Sequence, residues 1–376
     1  MKSEDTPPVV SPAGSRRRFA AAYRVLDEAI AAHAFPGCAF GVLAKDEVVL
    51  AEALGRFTYD ESSPAVTAKT FYDIASITKV AATSAAAMLL HQRRLLDLET
   101  PLAELLPSFA AKPATGPVSS AARVSVTLRH LLAHNSGLPG NVEFFRAAAT
   151  PAALMNACLA LPLETEPGAR AVYSDPGFIL LGKAIEALTG EPLATWTERE
   201  IFQPLGLANT VFCPPAQTRS LIPPTEEDTA FRRRRIQGEV QDENASVLGG
   251  AAGHAGVFSN VQDLLRFARE ILRAASGAAN ARLFDAATVE IFSQRQGPPG
   301  SSRALGWDTP SGKSSSGRHF FPHSIGHLGF SGCSLWIDLE VGLAVALLTN
   351  RTWPDRQNLL IRQARPAFHD AIREAL

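Results

Sequence analysis

Two paired strand patterns at opposite ends of the chain constrain its fold more than any other feature. Residues 38–44 and 48–54 are short apolar runs separated by Lys45-Asp46-Glu47, and residues 334–339 and 341–349 repeat the pattern around Glu340. Each pair reads as a β-hairpin. Between them, residues 77–93, 127–133, 178–188, 194–202 and 261–274 carry apolar positions at helical spacing and are joined by loops containing Pro and Gly. Because sheets are built mostly from hairpins and neighbouring strands, the two ends predict one antiparallel sheet assembled across a helical middle. Residues 16–34 and 355–376 read as helices flanking it. The expected fold class is α+β, in the form of an α/β sandwich. A discontinuous sheet domain is expected over 16–75 and 300–376, a mostly helical domain over 76–299, and a disordered polar tail over 1–15. Catalytic candidates are expected where the two halves meet.

Composition excludes several partner classes. With 36 Lys+Arg against 37 Asp+Glu, the net charge is −1, without the basic excess by which nucleic-acid binders neutralise phosphates. At 46% hydrophobic residues the chain is too apolar for disorder. The apolar run 341–348 is far shorter than the ~20 residues of a membrane helix. The polar opening MKSEDTPPVVSPAGSRRRF has no apolar core of a signal peptide. A cytoplasmic protein is expected, with a small-molecule or short-peptide substrate and neither a nucleic-acid nor a membrane partner. Cys38, Cys158, Cys213 and Cys333 are scattered with no C-x-x-C pair, so neither a disulfide framework nor a zinc site is read. His319, His323 and His327 recur every four residues, but Pro322 and Gly326 interrupt any helix that would align them. No metal and no cofactor is expected. The nucleophile-elbow pattern G-x-S-x-G is absent, which disfavours an α/β-hydrolase.

The strongest chemical signal is the segment Phe71-Tyr72-Asp73-Ile74-Ala75-Ser76-Ile77-Thr78-Lys79, a strand-like run leading into an Ala-rich helix. Ser76 and Lys79, at i and i+3, share one helix face, so the ammonium can approach the hydroxyl. A serine in the first helical turn also lies where a developing negative charge is favoured, which is how a weak nucleophile becomes activated. Alone, the pair reads more simply as a helix cap followed by an exposed lysine. Two further segments change that balance. Ala171-Val172-Tyr173-Ser174-Asp175-Pro176-Gly177 presents a tyrosine on a turn before an apolar helix. Ser324-Ile325-Gly326-His327-Leu328-Gly329-Phe330-Ser331-Gly332 precedes the terminal hairpin, with glycines that allow close backbone approach.

In this order the three segments resemble the motifs of the serine β-lactamase and penicillin-binding protein superfamily, in its branch of class C β-lactamases, D-Ala-D-Ala peptidases and esterases. Residues 131–139, 256–260 and 332–338 are similar to that branch too, and the resemblance spans about residues 20–370. It implies a serine acyl-enzyme mechanism: Ser76 as nucleophile, Lys79 and Tyr173 sharing its proton, and the backbone N–H groups of Ser76 and Phe330 as oxyanion hole. Free Lys and Tyr both titrate near ~10, and which accepts the proton first stays open. Asp175, His327 and Gly329 fall at substrate-binding positions. The glycine-rich segment 241–256 resembles a stretch of peptidoglycan-directed carboxypeptidases and muropeptide amidases; Asp242, Asn244 and His254 are its pocket candidates, and a surface loop of turns is the other reading.

Two departures from the family pattern narrow the expectation. Asp175 stands where an asparagine would offer an amide donor, and a carboxylate there holds Lys79 charged. His327-Leu328-Gly329 stands where Lys-Thr-Gly is usual, replacing a fixed cation by a group titrating near ~6.5. The expected activity is amide or ester hydrolysis of D-amino-acid, muropeptide or carboxylester type, with weak or no β-lactamase activity; the alternative is a catalytically silent binding or sensor module. Trp307 is expected in a strand under the sheet, His134 in a structural turn, and the run Arg232 to Arg235, after Glu226, Glu227 and Asp228, in a solvated loop.

Overall fold

The computed structural model describes residues 12–111 and 116–376. Five antiparallel strands form the central sheet: β1 (Gly37–Ala44), β2 (Glu47–Gly55), β3 (Ile325–Leu328), β4 (Ser334–Asp338) and β5 (Leu343–Thr349). Their spatial order is β2-β1-β5-β4-β3, so the first strand of the N-terminal hairpin lies beside the last strand of the C-terminal one. Phe40 faces Leu347 and Val42 faces Val345 across that seam. The two chain ends thus close one sheet, as the hairpin patterns require.

Strands β1 and β5 are buried nearly throughout, which explains their unbroken apolar runs. The two-residue strand period divides their side chains between two cores. Cys38, Phe40 and Val42 face a layer made by helices α1 (Ala20–Ala31) and α4 (Ile361–Glu374), where the Phe40 ring lies edge-on to Tyr23 and Phe368. Ala39 and Leu43 face the larger core, which runs into the helical region. Helix α3 (Val261–Ala275) covers that side so closely that a Cβ on Gly41 would lie 2.5 Å from Val261. Helix α2 (Asp175–Thr189) is the buried centre of the helical region.

Local departures from the expected elements have identifiable causes. Residues 1–11 of the expected tail lie outside the described residues, and Pro12–Arg18 is helical, so 12–15 are not tail. The expected helix 77–93 is a 3₁₀ turn (Ala75–Ile77), a wider π-type turn (Lys79–Ser84) and then a regular helix (Ala85–Gln92). Such irregular turns recur at functional sites. Helix α4 begins at Ile361 instead of residue 355, because Arg351 Nη1 draws the carbonyls of Arg356 and Asn358 into a loop at 2.8 and 2.9 Å. Trp307 is buried as expected but sits in a turn, its ring stacked on Phe267 at 6.3 Å. The Arg232–Arg235 run belongs to a small hairpin, with Arg235 paired to Glu227 and Arg232 to Asp228. Among the described residues no helix is long and apolar enough to cross a membrane.

Candidate active site

The site forms where a short strand, Tyr72–Asp73, pairs with Val257–Ser259 and then turns sharply into Ser76. Ala75, immediately before the serine, adopts φ +47°. Three residues on, Lys79 is fully buried and spends all three ammonium protons. Its Nζ donates to Ser76 Oγ at 3.0 Å, to Asp175 Oδ1 at 2.6 Å and to the His254 carbonyl at 2.9 Å. Burial pulls the lysine pKa down, but the Asp175 carboxylate and the Tyr173 hydroxyl outweigh it, and the net shift is upward. Lys79 therefore rests as a cation, ion-paired to the acid that replaces the family's asparagine.

Tyr173 enters from the segment leading into α2. Ser174 caps that helix: its Oγ accepts from the Gly177 N–H at 3.1 Å and donates to the Pro139 carbonyl at 2.7 Å. The Tyr173 ring lies between two cations, with Lys79 Nζ 4.9 Å and the Arg303 guanidinium 5.1 Å from its centroid. His134 packs against it at 4.7 Å, and accepts the Ser174 N–H on Nδ1 at 3.0 Å. Burial pushes the phenol pKa up and Lys79 opposes this; the net shift is upward, so Tyr173 rests as a neutral phenol.

The third segment runs from β3 into a tight turn. A Cβ on Gly329 would lie 2.5 Å from the Ile74 carbonyl oxygen, so only glycine permits this approach to the serine-bearing turn. Ser331 Oγ donates to the Asp73 carbonyl at 2.7 Å, and Arg351 Nε donates to the Phe330 carbonyl at 2.8 Å. Phe330 itself is half exposed at the cavity rim. His327 Nδ1 donates to the Leu328 carbonyl at 2.9 Å, leaving a buried Nε2 without a partner. Burial, with Lys79 and Arg303 nearby, holds its pKa well below the ordinary histidine value. These surroundings favour the neutral ring over the titrating group expected from the sequence.

Ser76, Tyr173, Asp175, His327, Gly329 and Phe330 line one cavity of about 420 Å³, with Lys79 directly beneath. Of the three candidates from segment 241–256, Asp242 and Asn244 line the same cavity and His254 does not. Asn244 lines the wall, but its amide is spent on the Val142 carbonyl at 2.8 Å and the Phe145 N–H at 3.0 Å. The buried His254 side chain pairs with Asp242 at 2.9 Å, and it is the His254 backbone carbonyl that reaches Lys79. Asp73 and Arg303 line the cavity without having been singled out for it by the sequence, whereas His134 sits in the structural turn expected of it, behind Tyr173. Asp73 had the best signal, standing three residues before the serine.

Known proteins are similar to this chain in the same terms. The beta-lactamase family profile matches residues 22–367. An N-acetylmuramyl-L-alanine amidase of Bacillus subtilis is 31% identical over 350 residues, covering 84% of this chain and 77% of that protein. An Escherichia coli protein assigned by name to the D-alanyl-D-alanine carboxypeptidases is 29% identical over 84% of this chain and 79% of its own length. In fold, the hydrolase EstCE1, described as having promiscuous acyltransferase activity, superposes with a TM-score of 0.74 at 22% identity, covering 94% of this chain and 100% of its own. Simvastatin synthase from Aspergillus terreus gives 0.74 at 21%, covering 95% of this chain and 98% of its own. On the extent of the profile match and of the Bacillus relative, the chain belongs to the beta-lactamase family and is a serine hydrolase.

Proposed function

We propose that Ser76 is the nucleophile of an acyl-enzyme mechanism, with Lys79 as first acceptor of its proton. The observation that carries this is the 3.0 Å contact between Lys79 Nζ and Ser76 Oγ. Since Lys79 rests as a cation, it must first give up a proton to solvent, a loss that Asp175 at 2.6 Å opposes. Lys79 then takes the hydroxyl proton as Ser76 Oγ bonds to the substrate carbonyl carbon, and the resulting oxyanion is held by the N–H groups of Ser76 and Phe330. Tyr173, a neutral phenol, protonates the leaving group as the carbonyl re-forms and the bond to that group breaks. Lys79 passes the proton it took from Ser76 to Tyr173, so the neutral amine and the neutral phenol are restored. Water resolves the acyl-enzyme by the same steps in reverse.

The amidase and carboxypeptidase relatives support an amide substrate of muropeptide or D-amino-acid type, with simple esters as a second class. Such substrates carry carboxylates, and Arg362 and Arg365 line the cavity where a neutral His327 cannot attract one. Four free cysteines, three of them buried, suit a reducing cytoplasm, where soluble muropeptides are met in place of intact wall.

The test is labelling. A fluorophosphonate adduct is expected on Ser76, lost in Ser76→Ala and slowed at least tenfold in Lys79→Ala. Absence of an adduct with any acylating probe would favour a silent binding module. Hydrolysis of a chromogenic cephalosporin at the efficiency of a dedicated β-lactamase would overturn the low β-lactamase activity inferred from Asp175 and His327.

A further inference from the structure

Asp73 is a buried acid, 1% exposed, that makes no ion pair among the described residues. Its contacts all go to backbone or to the turns around Ser76. Oδ1 accepts the Ala75 N–H at 2.8 Å, Oδ2 accepts the Gln241 N–H at 2.7 Å, and its own carbonyl accepts Ser331 Oγ at 2.7 Å. Three separate parts of the chain therefore meet at this one residue. They are the serine-bearing turn, the segment whose His254 carbonyl holds Lys79, and the turn that carries the Phe330 N–H.

Ala75 shows why a clamp is needed. Its φ of +47° lies in the left-handed region, which costs an L-residue with a Cβ and which persists only where surroundings enforce it. The carboxylate bond to the Ala75 N–H is such an enforcement, one residue before the nucleophile. We propose that Asp73 is a positioning residue for Ser76: it holds Ala75 left-handed and ties the nucleophile's turn to the segment that fixes Lys79. This rests on the assignment of Ser76 as nucleophile. Asp73 touches no reacting atom; it acts through Ala75 and Gln241.

The two backbone donors explain why an acid is required. A carboxylate offers acceptors on both oxygens, whereas an asparagine presents an N–H₂ to one of the two N–H groups. In Asp73→Asn, acylation of Ser76 by a fluorophosphonate is expected to slow ten- to hundredfold, the range set by small misplacements of a reacting atom. KM for a short-chain nitrophenyl ester is expected to change less than threefold. Glycine adopts positive φ without penalty, so Ala75→Gly added to Asp73→Asn is expected to restore most of the lost rate. A residue serving only general stability would show no such rescue.

A wild-type protein that takes no adduct overturns the Ser76 assignment and this inference with it. A wild type that reacts, beside an Asp73→Asn protein that reacts as fast, overturns this inference alone. If Asp73→Asn does not fold, the comparison is made within the Ala75→Gly background: there Asp73→Asn costs less than threefold, and a loss of tenfold or more overturns the proposal.

Discussion

At the scale of single residues, Asp175 sets the character of the site. Its carboxylate, 2.6 Å from Lys79, together with the Tyr173 hydroxyl outweighs the burial that would otherwise lower the lysine pKa. Replacing it by asparagine leaves burial as the dominant influence, so the ammonium loses its proton at lower pH. In Asp175→Asn the rising limb of the kcat/KM profile is expected to move at least one pH unit toward acid, a tenfold change in the deprotonated fraction below the midpoint. A limb that stays in place would remove Lys79 deprotonation from the rate law. Much of this was legible beforehand, since the i, i+3 spacing of Ser76 and Lys79 and the acid at Asp175 together specify a charged lysine beside the hydroxyl. Arg303 was not legible: its place over Tyr173 depends on a turn closed by bridges from Arg303 to Asp308 and from Asp308 to Gly326, a pairing no local pattern announces.

At the scale of elements, the site depends on how closely segment 241–256 seats on helix α2. Gly253 and Gly182 mark that contact: a Cβ on Gly253 would lie 2.1 Å from the Phe178 carbonyl oxygen and 3.0 Å from Gly182. The next carbonyl along the chain, from His254, holds Lys79, and Thr83 Oγ1 donates to the Gly253 carbonyl at 2.7 Å. Overpacking of this kind costs typically ~1–3 kcal/mol, and here the displaced backbone carries an acceptor of the buried Lys79 ammonium. Gly253→Ala is expected to lower the thermal midpoint and also to slow Ser76 labelling beyond the change produced by an equally destabilising core substitution such as Ile271→Val. Equal labelling rates at matched stability would separate the contact from catalysis. The glycine-rich composition of 241–256 was visible in the sequence as a choice between pocket and turn. The structure combines them: its glycines make close contacts, its backbone supports the lysine, and Asn244 ties a loop while lining the cavity wall. The hairpins were more legible than this segment, because a strand paired to its neighbour carries its partner within the same short window. The helix expected over 77–93 was legible as to type but not as to winding, since its first turns are set by tertiary bonds to residues about 175 positions away, such as Lys79 to His254.

At the scale of the whole molecule, a sheet built from both ends must be closed by the terminal helix, and His369 is part of that closure. It is fully buried on α4, with Nε2 3.1 Å from Ser334 Oγ on β4 and its ring edge-on to Phe320 and Phe368. Burial, reinforced by Arg365, pushes its pKa down to about 3 from the ordinary 6.5. A histidine whose folded pKa is depressed binds fewer protons folded than unfolded, so its contribution to stability is complete above pH 6.5 and is lost progressively as pH falls toward 3. In that window each pH unit costs about 1.4 kcal/mol for one fully differential group. His327 and His134, both depressed by burial, act in the same direction, while Asp73, raised to about 6 by burial, acts in the opposite one. Overall acid sensitivity therefore mixes several groups, and a single substitution isolates one of them. Between pH 7 and pH 5 the denaturant-derived unfolding free energy of His369→Gln is expected to fall by about 2 kcal/mol less than that of the wild type. Parallel pH dependences would mean that His369 is not held neutral, and that the seam between α4 and the sheet tolerates a charge.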